Sequence, residues 1–271
     1  MSVVDEAPTF VRVGPTRVRV RVIGQGTPLL LVMGIGGNLD MWDPLVPWLP
    51  DRQLIMFDFP GTGGSGKAWF PPTMMHNALF TATLLAQLGY GRVDVLGYSW
   101  GGLVAQQLAL QHPLSVRRLV LASSTVGWGG LPPGPMVAAR MLTPRRYYSS
   151  AYFAKVAASI YGGRFRTDPA LVDDQVERRT ARPPSIWGYA SQLSAAMTYS
   201  SLPGLPLIAA PTLIIAGDDD PLVATFNPRL MARFLRHSTL HVVPGSGHLV
   251  LLDSPDIVGP VINTFLDAET S

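Results

Sequence analysis

The chain has 271 residues, 47% hydrophobic and 14% charged, which allows one large core with an insertion and excludes a disordered chain. It contains no cysteine, so disulfides and thiolate metal sites are excluded. The net charge is +3, but the basic residues are nearly all arginine and scattered, apart from short pairs such as Arg145-Arg146 and Arg178-Arg179, so they read as surface charge and not as a nucleic-acid footprint.

No apolar run reaches the ~18 residues of a membrane span. The start, Met1 to Glu6, carries early acids and no apolar h-region, so a secretion signal is not expected and a cytoplasmic protein is. Phe10-Val11-Arg12-Val13 and Arg17 to Val22 alternate strictly around Gly14-Pro15-Thr16, which predicts an antiparallel hairpin with one wet face. Leu29 to Met33 is apolar throughout, as a strand buried on both faces should be, and leads into Gly34-Ile35-Gly36-Gly37. A short helix is expected near Met41 to Leu49, and Leu54 to Phe57 is the next buried strand.

Residues 61–66 fit G-x-G-x-x-G. A dinucleotide site needs a helix to begin inside the glycine run, whereas here Lys67 to Pro72 intervene and Pro71-Pro72 block helical continuation. The run is therefore expected to be a mobile loop beside a pocket, with no nucleotide cofactor.

A helix over Thr73 to Leu88 precedes the most informative stretch, Val93 to Gly102. It reads as a buried strand, an abrupt turn and a helix from Leu103 to His112, with Gly97-Tyr98-Ser99-Trp100-Gly101 at the turn. G-x-S-x-G in that context is a nucleophile elbow: Ser99 takes a strained positive φ, and the flanking glycines let strand and helix pass closely. Arg118 to Ser123 is another strand. From Thr125 to about Pro206 the strand–helix rhythm stops in a segment rich in Trp and Tyr, read as a helical cap. Strand Thr212 to Ala216, helix Asn227 to Leu235, strand Thr239 to Val243 and a closing helix Pro255 to Asp267 resume the rhythm. The pattern predicts an α/β fold with a mostly parallel doubly wound sheet, its core formed by residues 1–124 and 207–271 and its cap by 125–206.

A serine nucleophile needs a base, and the base an orienting acid. Reactive groups gather beyond the carboxyl ends of strands, and there stand Asp218-Asp219-Asp220 and Gly245-Ser246-Gly247-His248. The order serine, acid, histidine is that of α/β-hydrolases. His76, His112, His237 and His241 sit at helix ends or in strands and fit less well. The oxyanion donors are expected at the backbone N–H of Trp100, after the nucleophile, and of Ile35, in the loop after strand 29–33.

The arrangement resembles the α/β-hydrolase superfamily. Within it, the chain is similar to intracellular depolymerases of medium-chain-length polyhydroxyalkanoates, through Met33 to Leu39, Gly97 to Gly102, Pro144-Arg145-Arg146-Tyr147, Ile160 to Pro169 and Ala216 to Leu222. The resemblance implies a cofactor-free serine ester hydrolase, with Asp220 as the acid by the G-x-x-D spacing from Gly217 and Asp219 as the alternative. It implies an apolar ester substrate, a poly- or oligo(3-hydroxyalkanoate), and a polymer granule as a partner surface. Two positions depart from the family pattern: Met33 stands where a histidine is common, and Ala224 where a proline is usual. They leave room for a small-molecule carboxylesterase or lactonase on the same machinery, and a ligand-binding protein on the hydrolase fold is the rival of another class.

Overall fold

The computed structural model describes residues 7–67 and 72–268. Met1 to Glu6 and residues 68–71 of the proline-marked break lie outside them. Eight strands form one sheet: β1 Thr9–Val13, β2 Thr16–Ile23, β3 Thr27–Val32, β4 Arg52–Phe57, β5 Val93–Tyr98, β6 Val116–Ala122, β7 Thr212–Gly217 and β8 Ser238–Val243. Their order is β1-β2-β4-β3-β5-β6-β7-β8. The hairpin β1–β2 is antiparallel, as is its junction with β4, and every other pairing is parallel.

The apolar runs explain the layers. Successive residues of a strand face opposite sides. Leu30, Val32, Ile55, Phe57, Val95 and Leu121 enter one core with helices α1 (Met74–Gln87) and α2 (Trp100–Gln111). Their neighbours Leu29, Leu31, Leu54, Met56, Leu96 and Val120 enter a second core. Between β6 and β7 run five helices: α3 Pro135–Met141, α4 Arg145–Tyr148, α5 Ser150–Tyr161, α6 Pro169–Ala181 and α7 Ile186–Met197. Then follow α8 Phe226–Phe234, α9 Val250–Asp253 and α10 Pro255–Asp267, of which α8 joins the first core and α10 the second. The sheet is thus covered on both faces and is doubly wound.

Three expectations need correction. The stretch 41–49 is not one helix but two 3-10 turns, Leu39–Trp42 and Val46–Trp48, because Pro44 and Pro47 each lack an N–H and interrupt an α-helical ladder. The hairpin's polar face is not wholly wet: Arg19 is buried, pairing with Asp40 at 2.7 Å and Asp58 at 3.4 Å. The glycine loop after β4 is tied at most of its donors. Gly61 N–H bonds the Gly66 carbonyl, Gly64 N–H the Asp58 carboxylate and Gly66 N–H the Arg17 carbonyl, each at 2.7 Å. Burial pushes the Asp58 carboxyl above its usual range, against the opposite pull of the Gly64 and Leu39 N–H groups.

Nor are the arginines all surface charge. In each of the pairs Arg145-Arg146 and Arg178-Arg179 the second residue is buried.

Candidate active site

Strand β5 ends at Tyr98 and α2 begins at Trp100, leaving Ser99 between them at φ 54° and ψ −118°. Such a conformation costs about 1–3 kcal/mol for a residue with a Cβ and persists where its surroundings over-determine it. Here they do. Ser99 N–H donates to Ala122 O, and Ser99 O accepts from Gly102 N–H and the Ser124 hydroxyl, all at 2.9 Å. The flanking glycines answer to steric contact: a Cβ on Gly97 would lie 2.6 Å from Gly101 O, and one on Gly101 only 2.0 Å from Val32 O. Gly101 therefore clears β3, the neighbouring strand, as the helix passes over the sheet.

Beyond the ends of β7 and β8 the other two groups converge. His248 Nε2 lies 2.9 Å from Ser99 Oγ, and His248 Nδ1 lies 2.8 Å from Asp220 Oδ2. An ionised carboxylate only accepts, so the proton of the neutral imidazole belongs on Nδ1 and Nε2 is left to accept from the serine hydroxyl. The other oxygen, Asp220 Oδ1, accepts the Leu222 and Val223 N–H groups at 2.8 Å each, which fixes the carboxylate plane.

The three aspartates divide their tasks. Asp218 accepts from Gly245 N–H at 2.7 Å and braces the turn before the histidine. Asp219, the alternative acid, faces away from His248: it accepts from Gly163 N–H and from Arg166 Nε, each at 2.7 Å. The Arg166 hydrogen bond holds the Asp219 carboxyl below the usual carboxylate range. The remaining histidines stand elsewhere, His76 in the capping box of α1, His112 at the end of α2, His237 just before β8 and His241 within it.

Ile35 and Trp100 keep free backbone donors: among the described residues neither N–H has a hydrogen-bond acceptor. Ile35 lines the cavity that holds Ser99 and His248. The Trp100 side chain turns away from it, standing edge-on to Phe59 at 5.0 Å. The cavity has about 290 Å³ of empty space, counting its solvent-open mouth, and Met33, Met41, Met141, Tyr147 and Tyr161 make it largely apolar. Met33, the departure from the family pattern, thus serves as pocket wall. Among the described residues no group of three His, Asp or Glu side chains could hold a metal ion.

The sequence did not reveal how the helices between β6 and β7 hold this site. Tyr147 donates its hydroxyl to Ile35 O at 2.5 Å, and Gln192 accepts from Gly36 N–H at 2.7 Å, so α4 and α7 brace the loop that carries Ile35. Tyr161 O accepts the His248 N–H at 2.6 Å, and its ring stacks on the imidazole with centroids 6.2 Å apart. Buried Asp253 accepts from Gly247 N–H at 3.0 Å and from the Ser246 hydroxyl, steadying the turn before the histidine. The two motifs Pro144 to Tyr147 and Ile160 to Pro169 already stood out in the sequence. The structure puts the first against the Ile35 loop and the second against the loops of Asp219 and His248.

Comparison with known proteins agrees with this fold. The family model described as the alpha/beta hydrolase fold matches residues 27–255. The chain belongs to the α/β-hydrolase fold family. It is 41% identical over 244 residues to a poly(3-hydroxyalkanoate) depolymerase of Ectopseudomonas oleovorans, covering 90% of this chain and 85% of the relative. A putative carbamate hydrolase of Azorhizobium caulinodans is 27% identical, covering 93% of this chain and 96% of the relative. The crystal structure of a hydrolase from Pseudomonas aeruginosa superposes with a TM-score of 0.82 at 26% identity, covering 97% of this chain and all (100%) of the other. Among the described residues no helix is long and apolar enough to cross a membrane.

Proposed function

We propose that the chain is a serine ester hydrolase that cleaves poly- or oligo(3-hydroxyalkanoate) esters. The observation that carries the chemistry is the continuous line from Asp220 Oδ2 through His248 to Ser99 Oγ, with both links under 3 Å. His248 takes the hydroxyl proton as Ser99 Oγ attacks the ester carbonyl, and Asp220 stabilises the imidazolium that forms. The oxyanion that develops is received by the free N–H groups of Ile35 and Trp100. Collapse expels the alcohol, which carries away the proton held by His248. Water, deprotonated by the same imidazole, then cleaves the acyl-Ser99 ester.

The substrate class rests on the similarity to the depolymerase and on the methionine- and tyrosine-lined cavity. We take residues 125–206 as a cap that walls this cavity. It exposes the large apolar side chains of Trp128, Met136, Leu142, Ile186 and Trp187, the kind of surface a polyester granule would cover. A cytoplasmic location follows from that reading. The cavity, narrow between Met33, Met41, Met141, Tyr147 and Tyr161, also suits a small ester or lactone. Release of 3-hydroxyoctanoate from polymer, set beside hydrolysis of p-nitrophenyl esters of graded length, decides between them. Polymer breakdown supports the depolymerase, and turnover confined to the shortest ester overturns it.

A further inference from the structure

Two arginines line the same cavity as Ser99, and no carboxylate lines it. Arg146, from α4, is 1% exposed and Arg179, from α6, is 2% exposed. Neither forms an ion pair with any described residue. Arg146 donates to the Tyr189 hydroxyl at 2.9 Å and weakly to Thr143 O at 3.4 Å. Arg179 has no hydrogen-bond acceptor among the described residues, and the Nε of both guanidinium groups is buried and unpartnered. Three aromatic rings lie near the Arg179 guanidinium, Tyr161 at 5.0 Å, Phe153 at 5.2 Å and Tyr147 at 5.3 Å.

A guanidinium cannot shed its proton inside a protein. Burying one without a counter-charge is unfavourable, and ring faces offset only part of the lost hydration. Two such groups, both against the Tyr147 ring and both lining a cavity that holds a nucleophile and no acid, form an electrostatic deficit that an anionic ligand would complete. A carboxylate meets a guanidinium through two parallel hydrogen bonds, and it is the one anion that ester hydrolysis itself produces.

We propose that Arg146 and Arg179 form a carboxylate subsite, so that the preferred substrate is an ester bearing a free acid group. The proposal rests on the ester-hydrolase reading of Ser99. For an oligo(3-hydroxyalkanoate) the acid group is the chain's carboxyl terminus, and Ser99 cuts the ester bond next to it. The terminal 3-hydroxy acid leaves as the alcohol, taking the proton from His248. Water then cleaves the acyl-Ser99 ester, so that a dimer and one water give two 3-hydroxy acids.

The test uses the full-length protein and p-nitrophenyl octanoate hydrolysis, inhibited competitively by octanoate or by octanamide. Octanoate should bind at least about tenfold more tightly than the isosteric amide. The same ratio should appear in kcat/KM for the 3-hydroxyoctanoate dimer as free acid against its methyl ester. Arg179→Met should bring both ratios close to one, while Arg179→Lys, which keeps the charge, should retain part of each. Equal inhibition by acid and amide in the unaltered protein overturns the proposal, as does an unchanged ratio in folded Arg179→Met. If Arg179→Met does not fold, the ratios in the unaltered protein and in Arg179→Lys decide. Absence of any ester turnover would remove the hydrolase reading instead, and calorimetric binding of octanoate against octanamide would then still judge the subsite.

Discussion

Gln192 holds the Trp100 side chain in place: its backbone carbonyl accepts the indole Nε1–H of Trp100 at 2.9 Å. The same residue's side chain accepts from Gly36 N–H at 2.7 Å. One residue of α7 thereby braces both arms of the proposed oxyanion site, the start of α2 and the loop after β3. Gln192→Ala should leave Gly36 N–H buried without a partner and loosen the neighbouring Ile35 donor. A loss of about 1–3 kcal/mol attends an unmet buried donor. We expect kcat to fall roughly tenfold or more while KM changes little. An unchanged kcat would show that the loop keeps its place without α7.

Ser99→Ala should lower kcat on any ester by about a thousandfold or more with the fold intact. A serine-directed phosphonylating reagent, followed by peptide mapping, should mark Ser99 and no other residue. Near-normal turnover by the folded variant would end the proposed mechanism.

Asp220→Asn should cost roughly 10²- to 10⁴-fold in kcat, because an amide neither fixes the imidazole tautomer nor stabilises its cation. Asp218→Asn and Asp219→Asn should leave most of the turnover, since those carboxylates bond Gly245 and the Gly163–Arg166 turn. A larger loss in Asp219→Asn than in Asp220→Asn would reverse the assignment of the acid.

Asp219 also carries a pH signature. Its carboxyl stands below the ordinary range, chiefly through Arg166 and secondly, after a counteracting burial effect, through Gly163 N–H. A group with a depressed folded pKa stabilises above its unfolded value, about 3.9. It loses that contribution as pH falls through the folded pKa. The urea midpoints of the unaltered protein and Asp219→Asn should therefore differ at pH 7 and draw together toward pH 3. A gap that does not narrow would mean that the charge of Asp219 contributes nothing to stability. Both side chains are nearly half exposed, so the effect will be modest and salt-sensitive.

Chain length tests the cavity. Each methylene removed from water adds roughly 0.8 kcal/mol, so three or four extra carbons contribute about 2–3 kcal/mol and raise kcat/KM by tens to hundreds. Across p-nitrophenyl esters from C2 to C12 the profile should climb through the medium chains and level off once the space is full. A maximum at C2 would leave a serine hydrolase whose substrate is small.

Much of this could be read from the chain. Runs such as Leu29 to Met33 and Thr212 to Ala216 announce strands because a parallel strand buried on both faces has no polar positions to spare. Ser99 and His248 follow from local turns and strand ends, whereas the choice of Asp220 among three consecutive aspartates came from the family resemblance, with Asp219 as the alternative. What stayed hidden depends on partners far away in sequence. Nothing in the local sequence distinguishes buried Arg146 and Arg179 from exposed Arg145 and partly exposed Arg178, because burial is decided by which side of each helix meets the aromatic side chains of its neighbours. Gln192 lies more than ninety positions beyond Trp100, and its bond to that indole leaves no periodic mark. The break of 41–49 into two turns was readable from Pro44 and Pro47, and there the apolar spacing misled.

The backbone bond from His248 N–H to Tyr161 O has a consequence for engineering. A cap is commonly imagined as a module that can be exchanged to confer a new substrate preference. Here the exchanged segment would bring with it the anchor of His248, the Gly163 contact to Asp219 and the hydroxyl that pins Ile35. A chimera built by replacing 125–206 would inherit rate and selectivity together. Libraries meant to vary selectivity alone should keep Tyr147, Tyr161, Gly163 and Gln192 fixed and diversify Met141, which lines the cavity.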